Sequence, residues 1–463
     1  MRMSTPIWLG FLMLIASCAG WAQGDTTQAP TTAPPPPAFG QGLPPTQVSE
    51  TPPLSGLDEP SLEPAGAARS FLLYGGHVGE VVDTNSANSL GGNAVAGVTR
   101  VVGNASMQRL WSRYELALDY VGGANFYSNR SSVNHYHNMS ATQRMLWRTG
   151  AIQIRDYFSY LPDGSFGYGA FGGTGGIPGG SVGGGRIPGL GFGQFGSLGN
   201  VPRINNLAAV DVQQRLSPRS AFTLAGGYGI LHFTDSSSGG VGSRQFTGQM
   251  GYGYALSRRN KVALTYAYQG FRYPDLGNSF NTHVVQVLFG HQISGRMSLQ
   301  IGGGPQFTQF SNSASGSGTR VSGSGRASLH YRFPKTSLGL LYDHYTSGGS
   351  GFFLGSDSDI VRFTAGRPLG RQWHATGDVG FSRNSRVQQT TAGSPAKDYA
   401  YVYTGVGLSR NLGRNFGLSF NYHYNGLAFD SSVCVPGQPC NRNSGRHLAG
   451  FGLDWHPRPI RLD

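Results

Sequence analysis

The sequence is short of charge. Asp, Glu, Lys and Arg make up 12% of its 463 residues, while aromatics alone reach another 12%. That balance argues against disorder along most of the chain. Lysine is nearly missing, with three against 32 arginines, and no Glu follows Glu115. A soluble β-sandwich of this size would carry Lys and Glu along its wet face, and that face is absent. Long apolar runs are absent as well. One stretch, Ile7 to Ala16, is continuously apolar, and it is too short to cross a bilayer as a helix. The sequence therefore predicts no helical membrane protein. A chain without such a helix can still be integral if its strands close into a barrel. Cysteine is scarce, at three residues. Net charge is +13, but the arginines are scattered rather than clustered, so no nucleic-acid footprint is read from them.

Glycine is abundant, at 73 residues. Together with alternating patterns it argues against a helical fold. The leader has Arg2, then the apolar core, then Gly20-Trp21-Ala22 before Gln23, as in a cleaved secretory signal over residues 1–22. Ile15-Ala16-Ser17-Cys18 offers a rival lipobox reading. Residues 23–69 are rich in Pro and Thr and read as an extended linker. It is either a plain tether or a docking segment for a periplasmic partner. Cys434 and Cys440 close the turn-centred CVPGQPC. In an oxidising compartment that spacing predicts a local disulfide.

Strand patterns run from Ser70 onward. In the second half of the stretch Gly242 to Tyr273, Val262, Leu264, Tyr266 and Tyr268 share one parity, and Lys261, Ala263, Thr265, Ala267 and Gln269 the other. Alternate residues of a strand point to opposite faces, so one face is apolar and the other small and polar. Phe416 to Leu427 repeats the pattern. Six short turns share a grammar of an apolar residue, turn formers and a cation: Leu216–Arg219, Leu256–Arg259, Ile293–Arg296, Phe333–Lys335, Leu369–Arg371 and Leu412–Arg414. Looser versions stand at Leu110–Arg113 and Leu146–Arg148. Longer connections at 84–93, 128–131, 162–200, 235–241, 274–278, 312–318, 348–355, 385–396 and 428–443 alternate with them. Eight turns and nine loops predict about 18 strands in an all-β, closed antiparallel transmembrane barrel over residues 70–457, followed by a short tail at 458–463. Short turns on one end and long loops on the other are its mark.

Alternation alone also fits a soluble sandwich. Strand number, strand length and the small polar inward face favour lipid outside and water inside. The tryptophans of the mature chain, Trp111, Trp147, Trp373 and Trp455, all fall on the short-turn end, at the expected membrane–water interface. Residues 162–200, dense in Gly with Phe166, Phe171, Phe192 and Phe195, are either a disordered surface loop or a plug folded into the lumen.

Candidate lumen-lining charges are Arg155, Arg326, Arg362, Asp119, Asp343 and Asp378, a mixed wall. Convergence of the arginines would favour anionic solutes. Catalytic and metal constellations are weak. Asp357 and Asp359 read as turn chemistry. His135 and His137 form a pair without a third ligand, and His374 with Asp378 reads as a lumenal polar network. No cofactor motif stands above composition, and no enzyme is predicted.

The segment Leu448-Ala-Gly-Phe-Gly-Leu-Asp-Trp455 resembles the terminal signal of bacterial outer-membrane β-barrel proteins. Gly450, Leu453 and Trp455 match it, Leu448 departs at its polar position, and eight residues follow Trp455. The resemblance implies an outer-membrane address, lipid as surroundings and insertion by the barrel-assembly machinery. The function expected is a porin-like channel for small hydrophilic solutes, its bore set by the Gly-rich loop. An export barrel for an acidic polysaccharide and a surface adhesin remain as alternatives.

Overall fold

The computed structural model describes residues 70–161, 202–235, 240–311, 318–333, 336–348, 353–370, 372–387, 397–431, 434 and 440–462. The Pro-rich segment and the Gly-rich stretch 162–200 lie outside these residues. The regular elements of the described residues are strands. The first six strands are β1 (Phe71–Asp83), β2 (Ala96–Leu110), β3 (Tyr114–Tyr127), β4 (Val133–Trp147), β5 (Gly150–Leu161) and β6 (Arg203–Arg215). Next come β7 (Ser220–Phe233), β8 (Ser243–Ala255), β9 (Asn260–Tyr273), β10 (Asn278–Ser294), β11 (Met297–Ser311) and β12 (Thr319–Arg332). The circuit ends with β13 (Ser337–Ser347), β14 (Ser356–Leu369), β15 (Trp373–Arg386), β16 (Asp398–Asn411), β17 (Phe416–Phe429) and β18 (Asn443–Trp455).

Each strand pairs antiparallel with the next, and β1 pairs with β18. The result is a closed 18-stranded antiparallel barrel, the strand number and fold class the sequence predicts. At ~3.3 Å per residue a 14-residue strand is about 46 Å long, well beyond the 9–11 residues a tilted transmembrane strand needs. Closure leaves no free sheet edge around most of the circuit.

The seam between the first and last strands is short. β1 meets β2 through 13 residue pairs and β18 through eight, Gly76↔Trp455 to Asp83↔Leu448. After a short break a two-residue strand, β19 (Ile460–Arg461), continues the course of β18 and pairs with Leu72 and Phe71, extending the seam toward the turn end. Side chains reinforce it. Arg446 on β18 donates through Nε and Nη2 to both carboxylate oxygens of Asp83 on β1, and the two are 2% and 0% exposed. Lower on the same strands His77 Nδ1 lies 2.8 Å from Asp454 Oδ1. Above them Asn85 Nδ2 donates to Ser444 Oγ, and Thr84 N–H donates to the His447 carbonyl. Just past β18, burial lowers the His456 imidazole below its ordinary value, with the Asp454 carboxylate opposing the shift.

A second irregularity lies on the far side of the circuit. β12 pairs with β11 over Gln309↔Thr319 to Met297↔Tyr331, but with β13 only from Gly325↔His344 to Arg332↔Ser337. Residues 319–324 of β12 therefore have no β13 partner. The β13–β14 hairpin continues without them, paired as far as Ser347↔Ser356. The wall splits at this point on the loop end.

Candidate functional site

Polarity is inverted relative to a soluble protein. Every one of the 18 strands carries an exposed large apolar side chain, from Val78 on β1 through Leu264 and Val287 to Leu453 on β18. The alternate positions point inward and are polar. On β9, Leu264 is 55% exposed and Thr265 is 3% exposed. Gln245, Thr247, Gln269, Thr282, Gln306 and Thr308 are buried inside in the same way. A monomer in water rarely exposes apolar patches beyond a few hundred Å². A continuous apolar girdle around a polar interior is the arrangement of a transmembrane barrel.

Aromatic side chains bracket that girdle. At the turn end Trp111, Trp147 and Trp455 are exposed and Trp373 is half-buried. Each has a polar or aromatic neighbour. Arg109 lies over Trp111, Arg410 over Trp373, Trp147 Nε1 donates to Gln214, and Trp455 meets Tyr74 edge-on. Toward the loop end one geometry recurs three times on the exterior. The hydroxyls of Tyr120, Tyr266 and Tyr422 lie 3.0, 2.8 and 2.9 Å from Nδ1 of His137, His283 and His447 on the next strand. His137 therefore belongs to an exterior Tyr–His series, and His135 shares its outward parity. Among the described residues no group of three His, Cys, Asp or Glu could hold a metal ion.

Several interior charges are paired. Arg155 donates to Asp211 at 2.6 Å, Arg362 to Asp378 at 2.9 Å, and Arg326 lies 3.9 Å from Asp343. Nearer the turn end Arg144 lies 3.6 Å from Glu115, both half-exposed. Asp119 faces inward, accepts from Ser106 and Ser140, and stays accessible. All six residues singled out as lumen-lining occupy inward positions, and each arginine among them has a carboxylate beside it. His374 shares inward parity with Asp378, whose carboxylate accepts from Arg362. Asp357 bonds Arg320 and Thr346, and Asp359 bonds Tyr342 and His344. Cys434 and Cys440 are disulfide-bonded. Leu453 and Trp455 of the terminal segment face outward, and its Gly450 falls on an inward position.

The lumen narrows toward the loops. Inward residues of β2 pass from half-buried Gln108, Ser106 and Asn104 to buried Val102, Arg100, Val98 and Ala96. On β16 the inward Tyr403, Tyr401 and Tyr399 are almost wholly buried. The constriction is the tip of the β13–β14 hairpin. Phe353 packs with Ile360, Tyr399, Tyr401, Tyr403, Leu427 and Phe429, its ring 5.2 Å from that of Tyr399. The next residue, Leu354, packs with Phe271, Tyr273 and Phe280 on β9 and β10. Those two walls stand about six strand spacings of ~4.8 Å apart around the barrel. Adjacent residues, with Cα atoms ~3.8 Å apart, touch both only if the tip crosses the interior. Tyr273 donates its hydroxyl to the Gly348 carbonyl at 2.8 Å, and Gln306 donates to Thr346, fastening the tip. Gly355 follows at φ +85°, and a Cβ there would lie 2.6 Å from Phe280. Only glycine fits this turn against the ring.

The sequence reading assigned the constriction to residues 162–200, which lie outside the described residues. Among the described residues the β13–β14 tip forms it. Its signal was Phe352-Phe353-Leu354, three apolar residues inside a loop otherwise made of Gly and Ser. The Asp83–Arg446 seam pair carried no such signal, because its partners are 363 residues apart.

No protein-family profile and no curated protein matches the chain. Solved structures with a similar trace include OccK2 (OpdF) of Pseudomonas aeruginosa in complex with glucuronate, at 9% identity and TM-score 0.43. The match covers 85% of this chain and 98% of that one. The outer membrane protein opdK of the same organism matches at 13% identity and TM-score 0.40, over 84% and 98%. The ferric-catecholate import receptor Fiu of E. coli K12 matches at 7% identity and TM-score 0.39, over 83% and 81%. These are likenesses of shape, and none bears on which residues of this chain meet a solute.

Proposed function

We propose that the protein is an outer-membrane channel for passive diffusion of small hydrophilic solutes, narrowed at its outer mouth by the β13–β14 tip. The supporting observation is the inversion itself, an apolar girdle around an interior of Gln, Thr, Ser and paired charges. At ~18 strands a barrel is wide enough to hold an aqueous passage. The reading places the short turns in the periplasm, where residues 23–69 join the barrel, and the long loops outside. Insertion by the barrel-assembly machinery through Gly450, Leu453 and Trp455 belongs to the same proposal.

Charge balance shapes the expected selectivity. An arginine whose carboxylate partner lies within 3–4 Å presents little net field to a passing ion, so the lumen is not an anion filter. Asp119 is an accessible carboxylate with no arginine paired to it among the described residues, so Asp119→Asn tests the point. The variant is expected to shift the cation-to-anion permeability ratio by about twofold or less, as befits one solvated charge. Reversal potentials in a planar bilayer under a salt gradient measure it. Strong anion selectivity in the unaltered protein would remove the balanced-lumen account.

Conductance across a planar bilayer tests the channel reading directly. Discrete steps support it. A correctly folded barrel that passes no ions, even after Phe353 and Leu354 are truncated to alanine, contradicts it.

A further inference from the structure

Two arginines stand opposite each other on the outside of the barrel. Arg244 on β8 pairs in register with Arg272 on β9. Both are exposed and both share parity with exposed apolar neighbours, so both face outward. Neither has an ion-pair partner among the described residues. Like charges directly opposite across two strands destabilise the pairing. Elsewhere on the loop side the barrel avoids this, as where Arg383 on β15 has Asp398 on β16.

The neighbours extend the patch on both sides. His232 on β7 is exposed, two residues past the position paired with Arg244, and Ser279 on β10 is directly opposite Arg272. Four consecutive strands thus present donors at one level. Two residues from Arg244 and four from Arg272 toward the middle of the barrel, about 7 and 13 Å along the strands, the surface turns aromatic. Phe246 and Tyr268 meet there with ring centroids 6.4 Å apart. Cations stand above, aromatic rings below, and aliphatic side chains deeper still. That sequence is complementary to an amphiphile with an anionic head and acyl tails. Guanidinium groups suit phosphate, which they bind with paired N–H donors.

We infer that Arg244 and Arg272, flanked by His232 and Ser279, bind the phosphate of a lipid headgroup in the outer leaflet. The bound anion offsets the repulsion between the two guanidiniums, and its acyl chains lie along Phe246 and Tyr268. The inference rests on the outer-membrane reading proposed above.

Native mass spectrometry of the full chain in detergent tests it, with three probes: bisphosphorylated lipid A, the same lipid with its phosphates removed, and inorganic phosphate. Lipid A is expected to stay bound to the unaltered protein. Arg244→Gln/Arg272→Gln is expected to weaken it about tenfold or more, the loss of charge-assisted hydrogen bonds. The dephosphorylated lipid should bind more weakly by a similar factor, and that comparison requires no variant. Equal binding by the variant, or equal binding of the dephosphorylated lipid, overturns the inference. Displacement of lipid A by submillimolar inorganic phosphate overturns the headgroup assignment in favour of free phosphate. Heat-dependent gel mobility confirms that the variant barrel is closed. Conductance is read separately. A barrel that conducts but shows no phosphate preference loses this inference alone, and one that binds lipid A but never conducts loses the channel reading alone.

Discussion

Asp83→Ala is expected to destabilise the closed barrel by about 3–5 kcal/mol, the usual cost of stranding one partner of a buried ion pair. Three features make this pair sensitive. It is almost wholly buried, it is bonded through Nε and Nη2 of Arg446, and it spans the first and last strands. The seam it fastens has eight ladder pairs where β1–β2 has 13. A comparable loss at an interior hairpin would be covered by the longer ladders around it. At the seam a lost clamp frees two strand edges together, and exposed edges recruit other chains. Thermal melts by far-UV circular dichroism, with heat-dependent gel mobility as the readout of closure, measure the effect. Replacing both partners, as in Asp83→Leu/Arg446→Met, leaves no stranded charge and is expected to recover most of the stability. A single variant as stable as the parent would show that the seam does not depend on this pair.

Phe353→Ala/Leu354→Ala is expected to raise single-channel conductance several-fold. Burial of such side chains is worth about 1.5–3 kcal/mol each, so their truncation removes most of the apolar contact that holds the tip across the mouth. The released tip has a place to go. Continuing the β12–β13 register beyond Gly325↔His344 sets Tyr345, Thr346 and Ser347 opposite Ser324, Gly323 and Ser322, whose backbone now lacks a β13 partner. Zipping those residues together both opens the lumen and mends the wall. Single-channel recording compares the variants, with circular dichroism checking that the barrel persists. Conductance unchanged by the double substitution would place the constriction elsewhere.

Much of this architecture was legible in the sequence, because a barrel wall is a local object. Alternation at β9 and β17, the apolar–turn–cation grammar and the nine longer connections depend on neighbours along the chain, and they fixed strand number and facing. Lumenal charges were legible by parity for the same reason. Their pairing was not, since Arg155 and Asp211, or Arg362 and Asp378, meet only once register between strands is set. The seam is the extreme case, joining residues at the two ends of the barrel. The in-folded tip was hidden differently. Residues 348–355 read as a surface loop by their Gly and Ser. Phe353 and Leu354 declare their inward course only when Phe271, Phe280 and Tyr399 are seen to wait for them on opposite walls. The Arg244–Arg272 opposition, likewise, exists only in the β8–β9 register.

The central claim is that the apolar parity meets lipid and the polar parity does not. Spin labels placed singly along β9 from Val262 to Gln269 test it in reconstituted vesicles, by collision with oxygen, which concentrates in lipid, and with a water-soluble nickel chelate. The account predicts a period of two, with oxygen access high and nickel access low at Val262, Leu264, Tyr266 and Tyr268, and oxygen access low at Ala263, Thr265, Ala267 and Gln269. High nickel access with low oxygen access at Val262, Leu264, Tyr266 and Tyr268 would mean that this face is bathed in water, and would contradict the membrane barrel.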